Sequence, residues 1–110
     1  MLETSIDQIE VPVTAKNEQT ASFECVAYPG LRLCFILGSF SPYKSLNAGT
    51  TNGFANVPDE YKPIRETALA VAKVGTPIAS AWMTPEGELL VCAKIDGIST
   101  NVSIAGFWRY

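Results

Sequence analysis

Apolar residues in this chain recur at every second position in short runs, and most runs stop at a proline, a glycine or a polar cluster. Ile9, Val11 and Val13 alternate with Glu10 and Pro12, and Phe23, Cys25 and Ala27 with Ser22, Glu24 and Val26. Successive side chains of a strand point to opposite faces, so period two means sheet, with one face of each strand buried. Leu31, Leu33, Phe35 and Leu37 alternate with Arg32, Cys34 and Ile36. That run is apolar on both faces apart from Arg32, which predicts a central strand covered on both sides. Pro12 lacks the N–H that a ladder needs, so residues 9–13 belong at an edge or the beginning of a sheet. Lys16–Thr20 is polar and reads as a turn, and Pro29-Gly30 is a strong turn signal. Ile78–Met83 and Leu89–Ile95 flank Thr84-Pro-Glu-Gly87, the pattern of a hairpin. Asp96-Gly97 is a second hairpin signal, and Val102–Trp108 supplies the last strand.

One segment is ambiguous. The alanines, leucine and Glu66 of Arg65–Lys73 favour a helix on propensity, whereas Thr67, Leu69 and Val71 set against Ala68, Ala70 and Ala72 fit a strand. Val57–Pro63 is bounded by prolines and excludes a regular helix. Several short strands with no repeat of fixed period predict an all-β fold, a single antiparallel β-barrel or jelly-roll-like sandwich. At 110 residues the chain is one domain, 1–110, with 1–20 as an edge strand or arm.

Composition removes whole classes of function. Eight basic and eleven acidic residues give a net charge of −3, whereas a general nucleic-acid binder needs a basic footprint. No apolar run is long enough to span a bilayer, and the first residues carry no basic segment followed by an apolar one, so a soluble chain without a secretory signal is expected. With no histidine there is no imidazole for Ser-His or Cys-His catalysis, nor for the usual histidine-containing zinc sites. Glycines are scattered at turns rather than gathered in a phosphate loop, and the carboxylates are too dispersed for a calcium cage. Adjacent pairs such as Asp59 with Glu60, or Glu86 and Glu88 around a turn, read as solvated charge. The expectation is a protein that is not an enzyme and uses no cofactor and no metal.

Cys25, Cys34 and Cys92 are odd in number and sit in apolar runs, so they are expected as free thiols, with a Cys25–Cys34 cross-strand bridge left open. Charge is also uneven along the chain. Residues 1–24 hold Glu3, Asp7, Glu10, Glu18 and Glu24 against Lys16 alone, while residues 25–110 carry one net positive charge. Such an arm is either a solvated acidic strand or packs on a basic surface, including that of a neighbouring copy. Among the aromatics, Trp82 and Trp108 read first as core. Tyr43 stands apart, in the long polar stretch Gly38–Gly53 beside Lys44 and Asn47.

Asn56-Val-Pro-Asp-Glu-Tyr-Lys-Pro63, a small-residue strand, Ile78-Ala-Ser-Ala-Trp-Met-Thr-Pro-Glu-Gly87 and Val102-Ser-Ile-Ala-Gly106-Phe-Trp108 follow in order. Together they resemble the C-terminal head domains of receptor-binding and tail-fibre proteins of phages infecting Gram-positive bacteria. The likeness runs over residues 54–110 and is built of turn motifs. It implies a β-barrel head that forms a homotrimer, made in the bacterial cytoplasm and carried in the virion at a tail tip or appendage. It further implies a host cell-wall saccharide and other tail or baseplate proteins as partners. Lactococcal-type heads carry a histidine and an aspartate before the Pro-x-Gly turn and a tryptophan after it. Here Ser80 and Trp82 precede the turn and Val91 and Cys92 follow it, so that saccharide cleft does not carry over. No neck of heptads or Gly-X-Y repeats is present either.

Within that resemblance, the expected saccharide contacts are Tyr43, Lys44, Asn47 and Asn52, joined by Arg65 and Asp96 from neighbouring loops. A sugar needs a ring to stack on and fixed donors for its hydroxyls or phosphate, and this group offers both. The alternative expectation is a structural accessory or decoration protein of the virion that binds no glycan.

Overall fold

A computed structural model describes residues 7–16, 18–42, 46–72, 78–93, 96 and 101–110. Among them nine strands follow in chain order: β1 (Ile9–Glu10), β2 (Thr14–Ala15), β3 (Glu18–Tyr28), β4 (Leu33–Pro42), β5 (Thr51–Asn56), β6 (Thr67–Ala72), β7 (Ile78–Met83), β8 (Glu88–Ala93) and β9 (Val102–Arg109). They form one sheet in the order β1-β3-β4-β9-β6-β7-β8-β5-β2, and every strand pair is antiparallel. The sheet curls into a half-barrel.

Two switches of partner produce the curl. The edge strands β1 and β2 are neighbours in sequence, separated only by Val11, Pro12 and Val13, yet β1 pairs with β3 and β2 with β5. The donor-less Pro12 falls at the changeover, where a missing N–H breaks no ladder. Val11 N donates to Cys25 O at 2.8 Å, carrying the β1 pairing up to Pro12, and Lys16 N to Phe54 O at 3.0 Å, carrying the β2 pairing on beyond Ala15. On the far side β6 changes partner in mid-strand: Thr67–Leu69 pair with β7 and Ala70–Ala72 with β9. At that corner Gly106 leaves room for Leu69, because a Cβ built on Gly106 would collide with the Leu69 side chain.

Inside the curl lie Cys34, Ile36, Phe40, Phe54, Met83, Leu89, Val91, Val102, Ile104 and Trp108, all buried. Phe40 and Phe54 stack at 4.5 Å between centroids, joining β4 to β5 across the barrel interior. Burying one such side chain contributes about 1.5–3 kcal/mol, so this interior accounts for most of the fold's cohesion. Trp108 belongs to it, with its indole N–H donated to Tyr61 O at 2.7 Å.

Propensity is overruled in residues 65–73: Thr67–Ala72 is a strand, because its alternation matches open ladders on β7 and β9. The hairpin of Thr84–Gly87 closes as its residues require, with Gly87 N donated to Thr84 O at 2.8 Å and a positive φ of 85° at Gly87. Four local expectations are corrected. Strand β3 already begins at Glu18, inside the stretch read as a turn, and β4 runs on through Pro42 into the stretch read as loop. Strand β9 pairs with β4 and β6 rather than returning on β8, and Gly97 of the expected Asp96-Gly97 hairpin lies outside the described residues. The fourth concerns β4, which is central, between β3 and β9, but covered on one face alone among the described residues.

Candidate functional site

The residues proposed for saccharide divide between two ends of the barrel. Tyr43 and Lys44 lie outside the described residues. Asn47, Asn52 and Asp96 share the end where β8 finishes. Ala48 bridges Ala93 there, Gly49 N donates to Ala93 O at 3.1 Å, and the Asp96 carboxylate accepts from Ala48 N at 2.8 Å. Asp96 therefore fixes the 46–50 loop to the end of β8. Asn47 gives its backbone carbonyl to the Thr50 hydroxyl at 2.6 Å, and Asn52 stands half-exposed on β5 opposite Val91. Arg65 is elsewhere. It precedes β6, whose Thr67 pairs with Met83, whereas Asp96 follows Ala93, which pairs with Ile78 at the other end of β7. Six residues of strand span about 20 Å, so Arg65 and Asp96 do not meet in one cleft.

A second region emerges from strand register. Outward-facing positions of β1, β3, β4 and β9 align in rows: Glu10–Val26–Phe35–Phe107, then Glu24–Leu37–Ala105 continuing to Ala70 of β6, then Tyr28–Leu33–Arg109. Phe35, Leu37 and Phe107 are 39%, 57% and 57% exposed, high for large apolar residues on central strands. Tyr28 meets Phe35 edge-on at 5.6 Å, and Phe35 stacks on Phe107 at 5.4 Å. Ile64, hydrogen-bonded from its N to Arg109 O at 3.0 Å, adds a further exposed apolar side chain beyond β9. The signal for this face is the two-sided apolar run at 31–37, which by itself predicts a strand covered on both sides.

Polar and titratable groups offer little chemistry beside these regions. Cys25 and Cys34 place their sulfurs 3.4 Å apart in the core, and the thiol hydrogen bond, with burial, holds Cys25 far above the usual thiol range. Lys16 pairs with Glu88 across β2, β5 and β8, and Lys62 with Asp59 at 2.9 Å. Arg32, at a positive φ of 54°, is held by its Nε–H to Tyr110 O at 2.9 Å and by its guanidinium 4.5 Å over the Tyr110 ring. Among the described residues no group of three metal-ligating side chains converges, and no helix is long and apolar enough to cross a membrane. Comparison with protein-family models, curated proteins and solved structures finds nothing that matches the chain.

Proposed function

We propose that this chain is a structural assembly module, an accessory protein of a virion that works as a homotrimer, with the outer sheet face as its working surface. One observation carries the reading: β4 is central and apolar on both faces, and among the described residues nothing covers its second face. Contiguous exposed apolar surface of this kind marks an interaction site. The virion setting rests on the resemblance of residues 54–110 to phage head domains, with tail or baseplate proteins as further neighbours. A second reading, a head that binds cell-wall saccharide, draws on Asn47, Asn52 and Asp96 lying at one barrel end.

Light scattering at micromolar concentration, paired with staining of Gram-positive cells by the fluorescently labelled protein, separates the two. Three times the chain mass with no staining supports the assembly reading. A strict monomer removes it. Staining that disappears on Asn47→Ala substitution would instead support saccharide binding.

A further inference from the structure

We infer that the outer face of β3, β4 and β9 docks a second copy of this chain, the Glu10–Glu24 margin of one copy lying on the Arg109 margin of the next. The inference rests on the assembly reading and names its surface. Its centre is apolar and nearly free of side-chain donors: Val26, Phe35, Leu37, Ala105 and Phe107. Strands about 4.8 Å apart and rows about 7 Å apart give this face, margins included, a plan area of roughly 400 Å², and the largest apolar patch of a chain is often a functional one.

The margins choose the occupant. On the β1–β3 side stand Glu10 and Glu24, both exposed, with exposed Asp7 just before β1. On the β9 side stands exposed Arg109, with exposed Arg65 beyond it and Glu66 next to Arg65 in the chain. An acidic margin, an apolar strip and a basic margin make a face complementary to itself. Glu24 in the Leu37 row of β3 and Arg109 in the Leu33 row of β9 stand at opposite corners of the face, so copies related by an axis that lies in the face, oblique to the strands and perpendicular to that diagonal, bring the acid corner of one onto the base corner of its neighbour, whether the axis is two-fold or three-fold. An anionic membrane would be repelled by Glu10 and Glu24. A saccharide would find phenylalanine rings without the fixed donors that orient hydroxyls. A second copy satisfies both margins and the strip together.

Analytical ultracentrifugation of the full chain tests this with four variants: Leu37→Asp, Glu24→Arg, Arg109→Glu, and the double reversal. All three positions of substitution are exposed, and circular dichroism verifies that each variant keeps its fold. The wild type is expected to associate, and Leu37→Asp to be monomeric. Each single reversal should weaken association about five- to tenfold, and the double reversal should recover most of that loss. A monomeric wild type would overturn the inference together with the assembly reading. A wild type whose association is untouched by Leu37→Asp assembles through another surface, which overturns this inference alone. Loss with Leu37→Asp but no response or no recovery in the charge series overturns the pairing of margins.

Discussion

The rings of Phe35 and Phe107 lie 5.4 Å apart and 30° from parallel on neighbouring strands, and their outer sides face solvent. Each belongs to a strand whose other parity fills the core, as Ile36 and Cys34 do on β4 and Ile104 and Trp108 on β9. The two strands are thus apolar front and back, as in a sheet buried on both faces. The half-barrel supplies one cover, and an assembly would supply the other.

Leu69 fills the space that Gly106 leaves at the corner where β6 changes partners. Gly106→Ala puts a methyl group into that side chain, and overpacking of this kind costs about 1–3 kcal/mol. Urea unfolding should show a lower midpoint with an unchanged slope. Adding Leu69→Ala should cost less in the Gly106→Ala background than in the wild type; full additivity of the two would contradict the steric account.

Trp108 ties the last strand to the proline-bounded turn through its hydrogen bond to Tyr61 O. Trp108→Phe keeps an aromatic ring but leaves a carbonyl without its donor, which costs about 1–3 kcal/mol. The thermal midpoint should fall accordingly, and a midpoint equal to that of the wild type would show the bond to be dispensable.

The Cys25 and Cys34 sulfurs are in hydrogen-bond contact, not bonded to each other. A buried thiol held protonated is a poor nucleophile. Intact mass should match the fully reduced chain, with three thiols titrating after denaturation and Cys25 and Cys34 reacting slowly in the folded state. A mass two hydrogens lower would show the cross-strand bridge instead.

Tyr110 carries a buried hydroxyl with no partner among the described residues, and burial raises its pKa despite the opposing pull of Arg32. A raised folded-state value means that the unfolded chain ionises first. The contribution to stability is therefore full below the ordinary tyrosine pKa of about 10 and is lost as pH rises past it. Tyr110→Phe should leave stability at pH 7 unchanged or up to about 1 kcal/mol higher, and should make the alkaline decline shallower. An unchanged alkaline profile would contradict the assignment.

Local chemistry was legible where it is decided locally. Pro12 marked an edge, and Thr84–Gly87 marked a hairpin, since donors and positive φ belong to the residue itself. Strand partnership is decided by distant residues. Nothing within Val102–Trp108 states that its ladders lie on β4 and β6, and the helix-or-strand choice in 65–73 was settled by those same ladders. For the candidate site, Asn47 and Asn52 lie near each other in sequence and at one end of the barrel, but Arg65 falls at the opposite end of β6, and Asp96 spends its carboxylate on the Ala48 N–H. The outer face is visible in residues 31–37 as a second apolar side; that no described residue covers it emerges only from the packing.

Hydroxyl-radical footprinting of Phe35, Leu37 and Phe107 across a dilution series measures that missing cover most directly. The account predicts protection at high concentration that is lost together on dilution, over the range in which the molar mass falls to that of one chain. Full reactivity of all three residues at every concentration would contradict it.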